Sequence, residues 1–199
     1  MSEKIKKKLG ADNFSNPKKA VLSIAFTAIF IALFFVLDRF LGFYPTDSMK
    51  ISFSFLAVAI CSVYFGPVAG MLTGGLGDLL GALLIPRGAP NLLLTMTAAL
   101  GGLVYGLLLY SPEGYEFTKK QLIVRVIAAN LIISLVLNLT MNTFSIALMY
   151  GGDNVLGYAL ASLPARAVKE SIMFVIRSLC LIAITLPEGR VKKIFSTRS

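Results

Sequence analysis

The sequence predicts an all-α polytopic membrane protein: a six-transmembrane-helix bundle with cytoplasmic N- and C-termini. Three observations predict it. Of 199 residues, 56% are hydrophobic and only 15% charged, and the mean hydropathy is +0.79, too apolar for a soluble domain of this length. Apolar stretches long enough to span as helices recur at about 19–38, 51–65, 67–86, 91–111, 121–149 and 163–186, one of them short. Thirteen of the 19 basic residues then fall on one side of the bilayer, the side that holds both chain ends.

The organisation follows from those spans. Residues 1–18 form a basic cytoplasmic N-terminal arm, 19–187 a six-helix membrane domain, and 188–199 a basic cytoplasmic tail. The arm is not a secretory signal, because the apolar run behind it is long enough to span and no small-residue cleavage site closes it. The formal charge of +9 reads as a topology signal at a bilayer surface, not as a nucleic-acid surface. Six crossings leave only short connections, with no room for a soluble catalytic or nucleotide-binding domain.

Helix 1 carries Ala25, Ala28 and Ala32, a smooth stripe on which another helix can approach closely. Packing within the bundle is the alternative use of that stripe. Between helices 2 and 3 stands Tyr64-Phe65-Gly66-Pro67, a tight turn in which Pro opens the next helix. Helix 3 carries Gly70, Gly74, Gly77 and Gly81, residues for close helix packing, and Asp78, a carboxylate deep in a span. Such a group is costly in hydrocarbon and pairs with a cation or a ligand donor; Arg177, Arg166 and Lys169 on helix 6 are the expected partners.

The connection Arg87-Gly88-Ala89-Pro90-Asn91 suits the rim of a pocket mouth, and Ser111 to Lys120 reads as a solvated inner loop. Helix 5 spaces Asn130, Ser134, Asn138 and Asn142 four apart, a drifting polar stripe. Helix 6 carries Arg166, Lys169, Glu170 and Arg177. At 100° per residue the two arginines project about 20° apart, so three cations and an anion share one face. Each cation costs about 2.5–3.5 kcal/mol in hydrocarbon, so that face must meet partner groups, water or a ligand. Asn138 and Asn142 lie at the depth of Arg166 to Glu170, and Asp38, Arg39 and Lys50 flank the first outer loop, so the polar groups point to one outward cavity.

Several function classes drop out. The chain has no His and no nucleophile-base pair, so an enzyme is not expected, and no metal site is expected. Cys61 and Cys180 fall inside spans and read as small core residues. No G-x-x-x-x-G-K-[ST] is present, so ATP is not hydrolysed by this chain, and no internal repeat suggests a channel or an inverted-repeat carrier. What remains is a solute-binding subunit, or a structural or assembly membrane protein whose intramembrane charges pair with one another.

The ordered series Leu37-Asp38-Arg39-Phe40, Lys50-Ile51-Ser52-Phe53, Phe65-Gly66-Pro67, Leu76-Gly77-Asp78, Gly101-Gly102-Leu103-Val104-Tyr105-Gly106, Leu137-Asn138 with Asn142-Thr143, and Leu163-Pro164-Ala165-Arg166 through Lys169-Glu170 resembles the substrate-binding S component of energy-coupling factor (ECF) vitamin transporters. It is most similar to their folate-specific branch, from helix 1 to helix 6. The resemblance implies a multi-pass protein of a bacterial cell membrane that binds folate or a related anionic vitamin near the outer surface. It also implies docking, through the small residues Ala25, Ala28 and Ala32, on a transmembrane coupling subunit that carries two cytoplasmic ATPases. The chain itself takes no cofactor, and ATP is used only by those partners. The implied site is Asp78, Asn138, Asn142, Arg166 and Lys169, with Arg39, Lys50 and Arg87 at its mouth. Two departures from the family pattern, Arg177 where Gln is expected and a connection before helix 4 without aromatic residues, shift the expected ligand toward an anionic one.

Overall fold

In a computed structural model the described residues are 17–46, 49–86, 91–111 and 117–185. Among them are six helices: α1 Pro17–Arg39, α2 Phe55–Phe65, α3 Pro67–Leu84, α4 Leu92–Leu109, α5 Lys119–Tyr150 and α6 Val155–Thr185. A two-stranded antiparallel hairpin, β1 Phe43–Thr46 and β2 Met49–Ile51, joins α1 to α2, with Phe43 opposite Ile51 and Thr46 opposite Met49. The N-terminal arm up to residue 16, the tail, Arg87 to Pro90 and residues 112–116 of the inner connection lie outside the described residues.

Apolar side chains cover the outside of the bundle as well as its core. Large apolar side chains such as Val21, Leu22, Leu83, Leu84, Leu156 and Leu179 are exposed, while Ser62, Thr73, Asn130 and Ser145 are buried. That pattern suits a surround of lipid, in which helices associate through small residues and interhelical hydrogen bonds. Four helices, Lys19–Arg39, Pro67–Leu84, Leu92–Leu109 and Lys119–Tyr150, are long and apolar enough to cross a bilayer, so the chain is a helical membrane protein.

The α3–α4 seam is built on glycine. A Cβ at Gly74 would stand 2.3 Å from the carbonyl oxygen of Ala98, and one at Gly102 2.1 Å from that of Gly70. Gly106 packs likewise on Pro67. Close packing is therefore the use of the helix 3 glycines, as their spacing predicts; Gly77 and Gly81 serve α1 in the same way, receiving the Phe34 ring and the Arg39 guanidinium. The turn into α3 needs Gly66, whose φ of 94° favours glycine.

Two boundaries and one internal segment differ from expectation, each for a local reason. α2 starts at Phe55, not 51, because residues 49–51 pair with β1 and Ser52 donates to the Leu37 carbonyl at 3.3 Å. α6 starts at Val155, eight residues before the predicted start, and runs through Pro164. The overlooked signal is Asn154, whose Oδ1 accepts from the Gly157 N–H at 2.9 Å and caps the helix. Within α5, residues Ile133–Asn142 form a π-helical segment, a widened turn that a four-residue polar spacing does not announce.

Candidate functional site

A cavity of about 350 Å³ opens between the helices. Its lining comes from the C-terminal part of α1 and α3, the N-terminal part of α2 and α4, the later half of α5, and the Arg166–Arg177 stretch of α6. These are the ends that alternate chain direction brings together, away from the Phe65–Pro67 turn.

Around the mouth, Asp38 is the hub. It is 3% exposed at the end of α1; its Oδ1 accepts from Ser54 Oγ at 3.1 Å, and its Oδ2 meets Lys50 Nζ from β2 and stands 3.5 Å from Arg39 Nε. Arg39 and Lys50 therefore line the cavity beside a carboxylate that the expected site did not include. Arg87, the third residue expected there, lies outside the described residues.

Asp78 lines the cavity, but its hydrogen-bond partner is Thr95 on α4, whose Oγ1 donates to Oδ2 at 2.7 Å. The expected pairing with Arg166, Lys169 or Arg177 is not formed. The reason is the seam: glycine contacts hold α3 against α4, so the nearest donor to a C-terminal α3 side chain is a threonine one helix away.

Two cations of α6, Lys169 and Arg177, turn to their own helix. Glu170, 6% exposed, accepts from Lys169 Nζ at 2.8 Å through Oε1 and from Arg177 Nη2 through Oε2. Arg177 Nε also donates to the Met173 carbonyl at 3.2 Å. Arg166 is buried at 4% exposure and lines the cavity with them.

Asn138 and Asn142 join that group to α4. Asn138 Nδ2 donates to Glu170 Oε2 at 3.0 Å, Asn142 Nδ2 to Asn138 Oδ1 at 2.9 Å, and Thr97 Oγ1 to Asn142 Oδ1 at 2.6 Å. The widened π-helical turn carries both amides to the cavity wall. Asn91 fixes the neighbouring edge: its Oδ1 caps α4 by accepting from Leu93 N–H at 2.9 Å, and its Nδ2 donates to the Ser145 carbonyl on α5 at 3.1 Å. Below, Tyr105 Oη donates to Asn130 Oδ1 at 2.8 Å, and Asn130 Nδ2 donates to Ser178 Oγ at 3.0 Å.

Seven of the eight predicted substrate residues, all but Arg87, thus border one cavity. Sequence reasoning drew Asp38, Glu170 and Arg177 toward the cavity without naming them as substrate residues, and missed Thr97 and Tyr105, which also line it. Asp38 and Glu170 were legible as carboxylates beside cations, and Arg177 as a cation on the shared helix face; Thr97 and Tyr105 gave no signal beyond a polar atom in a span. Ala25, Ala28 and Ala32 lie elsewhere, all exposed along α1.

The cavity holds five basic side chains, Arg39, Lys50, Arg166, Lys169 and Arg177, against the three acids Asp38, Asp78 and Glu170. The local excess is two positive charges. Such a hollow favours an anion with a polar planar or amide-rich part that can exchange hydrogen bonds with the asparagines.

Comparison with known proteins agrees with that chemistry. Residues 22–185 match the family described as ECF transporter, substrate-specific component. The chain is 32% identical over 163 residues to the folate transporter FolT of Clostridium novyi, covering 82% of this chain and 87% of that one. It is 28% identical over 183 residues to the folate transporter FolT of Leuconostoc mesenteroides, covering 90% and 95%. Among solved structures, a crystal structure of FolT bound with folic acid superposes with a TM-score of 0.69 at 31% identity, over 81% of this chain and 91% of that one.

Proposed function

Because the chain belongs to the family of ECF transporter substrate-specific components, we propose that its cavity captures folate, or a closely related anionic water-soluble vitamin, for uptake. The family is one of transporter components, not of enzymes. The observation that carries the reading is the charge balance of the cavity, an excess of two positive charges in a bundle surrounded by lipid. Folate ends in a glutamyl group with two carboxylates, which matches that excess.

In this reading Arg166 and Lys169 pair the carboxylates by charge-assisted hydrogen bonds, and Asp78, Asn138 and Asn142 exchange donors and acceptors with the pterin edge. Arg39, Lys50 and Arg87 line the mouth. The cavity faces outward, the chain crosses six times with both ends in the cytoplasm, and residues 19–187 form the membrane domain of a bacterial cell membrane protein. α2 and α6 are the two helices beyond the four apolar spans; α2 is short, and α6 carries the charged face. Delivery inward uses a transmembrane coupling subunit with two cytoplasmic ATPases, docked on the exposed Ala25, Ala28 and Ala32. ATP turns over there, and this chain needs no cofactor.

The test is calorimetry of folic acid binding to the full chain in detergent. The double variant R166Q/K169Q is expected to raise Kd by about 100-fold or more, since each side chain leaves a ligand carboxylate unpaired in a desolvated site. Unchanged affinity overturns the assignment. A purified wild-type chain that binds no water-soluble vitamin favours the rival, a structural membrane protein with self-paired charges.

A further inference from the structure

Three helices are linked by one directional run of hydrogen bonds, from Thr97 on α4 through Asn142 and Asn138 on α5 to Glu170 on α6. An amide is ambiguous by itself, since its oxygen and nitrogen exchange places by a half-turn. The run is unambiguous only because one end is a carboxylate. Glu170 receives Lys169 and Arg177, so it is an ionised acceptor without a proton to give. Asn138 must therefore turn its nitrogen to Glu170 and its oxygen to Asn142. Asn142 then turns its nitrogen to Asn138 and its oxygen to Thr97, whose one hydroxyl hydrogen has two acceptors within reach, that oxygen at 2.6 Å and the Leu94 carbonyl at 2.8 Å.

We propose that Glu170 is a positioning residue for ligand recognition: its acceptor-only carboxylate sets the direction of the Asn138–Asn142–Thr97 run and thereby fixes which groups the cavity wall offers to a ligand. This deepens, and rests on, the folate reading. Each asparagine spends one N–H inside the run and keeps the second outside it, so the wall offers donors to a ring acceptor. A pterin with a 4-oxo group supplies that acceptor; a 4-amino group opposes donor to donor, which a hydrogen-bonding site rejects strongly.

Glutamine at position 170 supplies both a donor and an acceptor, so the run can reverse and present oxygens where nitrogens stood. The experiment is calorimetry on the full chain in detergent with folic acid and its 4-amino analogue aminopterin. Both carry the same two carboxylates, so a change in cavity charge moves both affinities together and cancels in their ratio. A merely structural role cancels likewise. Wild type is expected to favour folic acid by about tenfold or more, and E170Q to bind the two within about twofold.

E170Q strands Lys169 and Arg177, so E170Q/R177Q, which restores the excess of two charges, is the second variant. It is expected to lose the preference as E170Q does. A wild-type ratio retained in either variant, or no preference in wild type, overturns the inference while leaving the folate reading in place. A wild-type chain that binds neither compound overturns the folate reading, and the inference with it.

Discussion

Lys50 of the hairpin and Asp38 at the end of α1 form an ion pair that ties the strands to the helix they follow. The two residues are not equivalent. Asp38 is 4% exposed at its side chain and also holds Ser54 and faces Arg39, whereas Lys50 is 31% exposed. Removing Asp38 takes one shared acceptor from Lys50, Arg39 and Ser54 at once; removing Lys50 leaves a carboxylate that still has partners. D38N is expected to destabilise the protein by about 3 kcal/mol or more and K50M by about 1 kcal/mol or less, measured by unfolding in detergent. Hydrogen exchange should quicken across the hairpin in D38N. Equal losses for both variants would reject the asymmetry.

The α3–α4 seam should reject even one methyl group. A Cβ at Gly102 would sit 2.1 Å from the Gly70 carbonyl, and backbone cannot yield as a side-chain tip can. G102A is expected to cost about 1–3 kcal/mol, read as a lower midpoint of thermal unfolding, whereas G101A, whose nearest neighbour is a Leu137 methyl at 4.0 Å, should cost less.

Tyr105 is 2% exposed, and its hydroxyl is the donor that satisfies Asn130, itself fully buried. Y105F keeps the ring and strands the amide oxygen. It is expected to destabilise by about 1–3 kcal/mol in the same assay, more than an exposed tyrosine such as Tyr150 would when changed to Phe.

Pteroate lacks the glutamyl group with its two carboxylates and keeps one benzoate carboxylate, nearer the ring, where it cannot reach both excess cations. It is expected to bind about 100-fold more weakly than folate to the wild type. In R166Q/K169Q the gap between the two ligands should shrink to within about threefold, because the groups that distinguish them are gone. Parallel weakening of both ligands by the double variant would place the carboxylates elsewhere.

The spans were legible because a bilayer-length apolar run is a coarse signal that local detail rarely disturbs. The glycine seam was legible for a similar reason, since Gly70 and Gly74 recur on one helix face, a pattern that favours close packing over substrate contact. The face shared by Arg166, Lys169, Glu170 and Arg177 was legible from helical angle alone. What it met was not: helical projection says which residues share a side, not whether Glu170 satisfies its neighbours within the helix. Asp78 shows the same limit, since its bond to Thr95 follows from how closely α3 and α4 approach. The hairpin of 43–51 was hidden by its brevity, and the π-helical segment by the fact that the same residues also fit an ordinary helix.

α2 has 11 residues, about 16 Å of helix, against a hydrocarbon thickness of about 30 Å. The hairpin, Ser52 and Ser54 precede α2 in place of further helical turns, and Lys50, Ser52 and Ser54 border the cavity there. In the folate reading, a ligand on Asn138 and Arg166 takes up room that a full-length α2 would fill, and the short helix is what makes the hollow possible.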